Sequence, residues 1–498
     1  MTRSVSLSVL AVLALPTLGA SAGACVVPVV EPPPNTVASK DSPPQDAKKD
    51  KPVKHRAAAT PKTPTAFTLK PEWQGPCSKS ATVDVNLGNS PEAFVKAAYC
   101  QITGQQPPPD VVSNWAGLLK DDPHVRRIDV VRSLAADQKI DSKSLKLAYS
   151  DPWTSQPDLL DIPVRTAKRD VGAVFLFFFN CPKEPNCGMH DEKFQGQWAN
   201  THALGMDAPN PALGFTQGQS AYYHPSEPGF WRRELLDARF AGIQFLMPNV
   251  YGPDIEDGKL APLEKALESI DNPPKVALFD DTWTWGQPYF SDFWKQKPDF
   301  NEPEKAATTI YEAKWRPFFK QVDKKYWYRF DGRPFIYFYN AGTLRPASKA
   351  APVIAKLKAL FKADFGEEPF VDVDIAYFDD KGMDKVADAK FRWMTFNMPD
   401  KKFRSTMNGH IIDHAMVRWD SVGRDRPGDI AKKSERLIKD ASVLEKVLDE
   451  SDDAELLVLA TWNDLGEGTG VNRNYDYYSG GKWLEPDYFM RVIRDSQR

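Results

Sequence analysis

The chain has 498 residues, more than one average domain needs and enough for two or three domains with a large core. Its 64 Lys and Arg stand against 67 Asp and Glu, a net charge of −3, which excludes the basic footprint of a nucleic-acid-binding surface. The excess lies in aromatics, 14 Trp, 16 Tyr and 28 Phe, rings that either fill a core or offer flat apolar faces to sugars.

Arg3, the Leu/Val/Ala run from Val5 to Leu15 and the small residues after it have the layout of an export signal within residues 1–25. The run is too short to remain as a membrane span, and no later segment offers about 18 uninterrupted apolar residues. Two cleavage points are open. Ala20-Ser21-Ala22 suits an ordinary signal peptidase, and Ala22-Gly23-Ala24-Cys25 resembles a bacterial lipoprotein box with Ala at its first position. Lipidation of Cys25 would account for an odd total of five cysteines. The other four then form an even set, which proximity pairs as Cys77 with Cys100 and Cys181 with Cys187. The expectation is an exported monomer, in the cell envelope or secreted, that meets a membrane only through lipid on Cys25.

Residues 26–71 are rich in Pro, Lys, Ala and Thr and nearly without apolar periodicity, a composition that stays extended and serves as a spacer. A small all-α unit is expected over 77–148. Ser90-Pro91-Glu92 supplies an N-cap with Pro at the first helical position, and Phe94, Ala98 and Ile102 follow at helical spacing. Ile128, Val131 and Leu134 mark a further amphipathic helix. The stretch resembles a small helical domain of unknown function found in bacterial exported proteins, which implies an accessory or adhesive role.

Residues 149–498 alternate short apolar runs with helical stretches. The runs cover 171–180, 242–252, 275–281, 334–340, 370–380, 391–397, 414–420 and 455–464; helices are expected at Trp231–Ala241, Pro303–Lys325, Ser348–Phe365, Ala431–Leu448 and Pro486–Ser496. Strands apolar nearly throughout are covered on both faces and therefore parallel, and eight of them with intervening helices predict a (β/α)8 TIM barrel. The runs finish in Asn180, Asn249 with Tyr251, Asp280 with Asp281, Asn340, Asp379 with Asp380, Asn397, Asp420, and Asn463 with Asp464. In a barrel such ends line one face, where active sites lie; Asn and Asp also cap the helices that follow strands, so part of this set is expected to be capping alone.

Metal-ligand spacing is absent from the seven histidines and five cysteines, and neither a phosphate cradle nor a dinucleotide fingerprint occurs, so no metal and no cofactor is expected. The only G-x-S-x-G match, at Gly19–Gly23, falls inside the export signal. What remains is carboxylate chemistry. Hydrolysis of a glycosidic bond needs a proton donor for the departing oxygen and a second carboxylate as base or nucleophile. Asp464 and Glu467 in "TWNDLGEGTG" offer that pair, with Gly466 and Gly468 relieving the backbone. Candidate substrate contacts are Asn249, Tyr251, Asp280, Asp281, Asn340, Asn397, Asp420 and Asn463, with Trp283, Trp285 and Trp462 as sugar platforms or core packing.

"TWNDLGEG" resembles the eighth-strand signature of glycoside hydrolase family 71 α-glucan-cleaving enzymes, W-N-D-[YF]-G-E-S, and is similar to the F-N-E-W-x-E-G-T of family 99-type endo-α-mannosidases. Residues 222–252 and "GRPFIYFYN" are similar to further family 99-type segments. The resemblance implies an endo-acting hydrolase of an α-linked polysaccharide, with Glu467 protonating the leaving group and Asp464 as base. Leu465, Gly468 and Asp464 depart from one or other pattern, which implies a sister family. The alternative is a barrel without turnover that binds surface glycan as an adhesin.

Overall fold

The computed structural model describes residues 75–84, 87–88, 90–121, 127–141, 145–148, 169–177, 228–250, 258, 260–286, 297–340, 342–395, 398–419, 440–464, 468–473, 477–479, 482–485 and 487–497. The chain divides into two units, 1–61 and 62–498, and all of these residues lie in the second. The export signal, Cys25, the spacer to residue 71, Cys181 and Cys187 fall outside the described residues, as do Tyr251, Asn397, Asp420 and Glu467.

Within 77–148 the elements are β1 (Thr82–Asp84), α1 (Pro91–Thr103), α2 (Pro109–Asp121), α3 (Arg127–Asp137) and β2 (Lys146–Ala148). Helix α1 begins where Ser90 accepts a hydrogen bond from the Ala93 amide with Pro91 in the first turn, and ends at Gly104, whose φ of 77° is left-handed. Phe94, Val95, Ala98 and Ile102 from α1 share a small core with Val83, Val130, Val131 and Leu134, and a disulfide joins Cys77 to Cys100. The unit is not all-α: β1 and β2 pair in parallel, Thr82 opposite Lys146. Each strand is three residues long, too short to show an alternating pattern in the sequence.

The rest runs β3 (Asp170–Phe175), α4 (Pro228–Ala241), β4 (Phe245–Pro248), α5 (Ala261–Glu268), β5 (Lys275–Val276), β6 (Leu278–Asp281), α6 (Pro303–Ile310), α7 (Arg316–Gln321), β7 (Arg329–Phe330), β8 (Arg333–Tyr339), α8 (Ala350–Phe365), β9 (Phe370–Asp374), β10 (Ala389–Phe391), β11 (Lys402–Ser405), β12 (Ile412–Ala415), α9 (Ser442–Glu450), β13 (Leu456–Leu459), β14 (Tyr478–Ser479), β15 (Lys482–Trp483) and α10 (Tyr488–Ser496). Among the described residues two large sheets result, one ordered β11-β12-β13-β3-β4-β5 and one ordered β10-β9-β8-β6 with β7 beside β8, and β14 pairs with β15 in a small sheet of its own. All contacts among β3, β4, β6, β8, β9, β10, β12 and β13 are parallel, and a parallel bridge between Asn249 and Phe279 joins the two sheets at β4 and β6. From β3 to β10 each of these strands neighbours the next in chain order, β12 pairs with β13, and β13 pairs with β3. Lys390 N of β10 donates to Ser405 Oγ of β11 at 3.3 Å, and Met416 N, just past β12, donates to Thr395 Oγ1, just past β10, at 2.7 Å.

The sheets face one another over layered side chains. Phe245 of one sheet stacks on Tyr328, ring centroids 3.6 Å apart, and packs edge-on against Phe335, which stacks on Phe370. The next layer is partly polar. Tyr337 stacks on Phe391 at 3.7 Å; its hydroxyl lies 3.3 Å from His414 Nδ1, while His414 Nε2 lies 3.3 Å from Asp372 Oδ2. Burial pushes the His414 imidazole down to about 3 and the Asp372 carboxyl well up, so both favour their neutral forms. Above them, towards the strands' C-terminal ends, stand Asn249, Asp281, Tyr339 and Asp374.

Several runs differ from expectation: 275–281 divides into β5 and β6, and 414–420 is strand only to Ala415 because β12 spans Ile412–Ala415. Only 370–374 of the run 370–380 is strand; Asp379 and Asp380 lie beyond it, and Asp380 serves helix α8 by accepting from the Ala351 amide at 2.8 Å. The run 391–397 contributes only Phe391, because β10 starts at Ala389. The long helix expected over Pro303–Lys325 ends at Gln321 and contains a π turn, Tyr311–Trp315, between α6 and α7. Pro317 has no amide hydrogen to continue the α pattern there, and the widened turn aims Lys314 and Trp315 inward.

Gly172 is required by contact: a Cβ there would lie 2.1 Å from the Phe245 ring, which its stack on Tyr328 holds in place. Gly172→Ala is expected to lower stability by about 1–3 kcal/mol in urea unfolding, the typical cost of overpacking, with an unchanged dependence on denaturant.

Candidate active site

The stretch that follows β13 is fastened at several points. Trp462 N donates to Val174 O at 2.7 Å, and the Asn463 side chain accepts from the Leu176 amide at 2.7 Å while donating to the Leu176 carbonyl at 2.8 Å. The Trp462 indole donates to Glu234 Oε2 at 2.5 Å, and Arg473 reaches both oxygens of Asp237, one turn further along α4. Asp464, half-buried, stands between these anchors: its amide donates to Thr461 Oγ1 at 2.9 Å and its carbonyl accepts from Thr469 N at 3.1 Å. Thr461 and Thr469 share a hydrogen bond of 2.8 Å. Gly468, with φ 61°, occupies a conformation that favours glycine.

The remaining candidates separate by what their polar atoms already do. Asp280 is fully buried on the side of the sheet that faces the helices, accepting from Lys314 Nζ at 2.9 Å and from the Trp315 indole at 2.7 Å. It is a structural carboxylate, not a substrate contact. Asp281 turns to the opposite face, where Asn249 Nδ2 donates to it at 3.2 Å and the Trp283 amide at 2.8 Å. Burial raises the Asp281 carboxyl above its ordinary range, opposed by the positive charge of Lys314. Asn340 accepts from the Gly342 amide at 2.7 Å, the capping role open to it from the start.

Trp462 has no exposed surface and presents no face to a sugar; it is core packing, as is Trp285, 4% exposed beneath Lys314. Asn463 is likewise fully buried and ties β13 to β3, which corrects its assignment as a substrate contact. Trp283 keeps partial exposure. Among the described residues, no group of three or more His, Cys, Asp or Glu is arranged to hold a metal.

Three strand-end residues escaped the sequence reading. Asp374 closes β9, accepting from the amides of Ala376 and Asn340, and burial pushes its carboxyl up to about 7. Its signal was the i, i+2 pair Asp372 and Asp374, masked by reading the strand on to Asp380. Tyr339 and Trp393 are the others, both only partly buried.

Fold and site together define an α/β protein whose parallel strands deliver carboxylates and amides to one edge. The chain belongs to the family described as "Domain of unknown function (DUF5010)", which it matches over residues 215–494, more than half of its length. No curated protein matches the sequence. Among solved structures, the GH99 endo-alpha-mannosidase from Bacteroides thetaiotaomicron is similar at 12% identity, with 66% of this chain and 97% of that one covered and a TM-score of 0.42. A protein described as glycoside hydrolase-like is similar at 14% identity, with 69% and 98% covered and a TM-score of 0.42.

Asp374 makes a pH prediction. Its folded value of about 7 lies above the ordinary 3.8, so between these the folded chain holds a proton that the unfolded chain lacks. That stabilisation is complete below the lower value and is lost as pH rises through the upper one. Asp374→Asn keeps a carbonyl acceptor for the two amides. Relative to this variant, wild-type stability in urea is expected to fall by at most about 1.4 kcal/mol per pH unit across that window; parallel profiles would refute the raised value.

Proposed function

We propose that the chain is a glycoside hydrolase cleaving an α-linked polysaccharide, with its two sheets forming the halves of a (β/α)8 barrel and its cleft at the strands' C-terminal edge. The observation that carries this reading is the mounting of Asp464: a half-buried carboxylate, three residues before Glu467, on a segment bonded to both β3 and α4. Cleavage of a glycosidic bond moves charge between two fixed points, so the groups serving it must hold position while one gives a proton to the departing oxygen and the other accepts one. A stretch anchored on both sides meets that requirement. A mobile surface loop would not.

In this mechanism Glu467 protonates the departing glycosidic oxygen, and Asp464 accepts a proton from water or from a substrate hydroxyl. Asn249, Asp281 and Trp283 contact the sugar, with Tyr251, Asn397 and Asp420 as further contacts. The resemblance of "TWNDLGEG" to glycoside hydrolase families 71 and 99 supports the assignment. Export through residues 1–25, with lipid on Cys25 and the 26–71 spacer as a tether, would place this monomer where polysaccharides are met.

The test supplies purified protein with α-glucans, mannans and arabinans and measures new reducing ends. Release is expected from wild type, reduced at least about a hundredfold by Asp464→Asn and by Glu467→Gln, the scale of general acid–base catalysis. Release that survives both substitutions would overturn the assignment, and binding without release from any glycan would favour the adhesin.

A further inference from the structure

A second cluster lies at the same strand-end edge, away from Asp464. In strand order β8 is four steps from β13, through β6, β4 and β3. Here Phe279, 1% exposed, forms a floor. Trp393 lies on it with centroids 5.3 Å apart and planes 17° from parallel, and Tyr339 lies on it at 5.8 Å and 24°. The two upper rings are 5.0 Å apart, and both keep partial exposure. One face of the Trp393 indole is thus covered by Phe279. Continuing along the register, Asp281 stands opposite Tyr339 on the neighbouring strand, and Asn249 Nδ2 donates to Asp281. At the other end of that amide, Asn249 Oδ1, on a side chain 3% exposed, has no hydrogen-bond partner among the described residues. A buried carbonyl oxygen without a donor is unfavourable unless a ligand or water supplies one.

We infer that Asn249, Asp281, Tyr339 and Trp393 form a sugar-binding subsite, which holds one pyranose ring of the chain whose glycosidic bond is cut at Asp464 and Glu467. The inference rests on the glycoside hydrolase reading. A pyranose is two-faced: its axial C–H groups make an apolar plane and its equatorial hydroxyls form a polar rim. The cluster matches this division, with aromatic planes at one end and, at the other, a carboxylate and an amide oxygen that accept from hydroxyls. Concave sites of this composition, mostly apolar with a few aimed polar atoms, are the rule for small-molecule recognition. Its distance in strand order from Asp464 makes the ligand an oligosaccharide rather than a single sugar, because one ring cannot occupy both places.

The experiment measures binding by calorimetry and cleavage by reducing ends, using soluble oligosaccharides from the same α-glucans and mannans. Wild type, Asp464→Asn, Trp393→Ala, Trp393→Phe and Asn249→Ala are compared. Trp393→Ala is expected to weaken binding at least tenfold and to raise KM by a similar factor, with kcat within about threefold; Trp393→Phe should recover part of the loss. Asn249→Ala should weaken binding without disturbing the aromatic pair, and Asp464→Asn should bind as wild type does without cleaving. Cleavage by wild type together with unchanged Kd and KM in Trp393→Ala and Asn249→Ala would overturn the subsite alone. No binding and no cleavage of any oligosaccharide by wild type would overturn the subsite and the hydrolase reading together.

Discussion

The joint between the last strand and the first is the constraint on which the candidate site depends. Asn463 bonds both backbone groups of Leu176, and Trp462 N bonds Val174 O, across a separation of 287 residues between Asn463 and Leu176. Bringing such distant segments together costs loop entropy that grows only slowly with length, so a parallel ladder and a buried amide suffice to hold them. Asp464 follows directly and stands at the sheet edge because its predecessor is spent on the joint. Helix α4 adds a second hold through Glu234 and Asp237, which accept from Trp462 and Arg473. Residues three apart on a helix share one face, so a single helix face grips both ends of the stretch.

The interior between the sheets is not uniformly apolar. His414, Asp372 and Tyr337 sit in the middle layer, and the depressed imidazole and elevated carboxyl leave the group without net charge. Charges would be expensive there, whereas neutral polar groups at hydrogen-bond range are tolerable. Asp280 and Lys314 solve the same problem on the helix-facing side by pairing, with the Trp315 indole satisfying the second carboxylate oxygen. Adjacent residues Asp280 and Asp281 thereby have opposite tasks, set only by the alternation of a strand.

Strand and helix positions were legible because apolar runs and capping residues carry them: Ser90 and Pro91 start α1, and the expected runs 242–252, 275–281 and 455–464 hold strands at 245–248, 278–281 and 456–459. Asp464 is a candidate because it ends such a run, 455–464. Lost in the sequence was which side of a strand each end residue takes. Asp280 and Asp281 are indistinguishable until the helix behind is placed, and Trp462 looks like a platform until Glu234, 228 residues away, is seen to accept from it. Asp374 was hidden because a polar residue ending a strand and one capping the next helix look alike, and the run was read through to Asp380. The π turn at Tyr311–Trp315 left only Pro317 as a trace.

The order of strands bears on how the protein is made. Chains emerge from the ribosome N-terminus first, at about 5–20 residues per second, and β3 waits through nearly three hundred residues for the partner on its β13 side. That partner arrives with the segment that carries Asp464. An incomplete chain therefore leaves β3 with an open edge and lacks Asp464 and Glu467; pairing that edge and adding those two carboxylates fall in one stretch of synthesis.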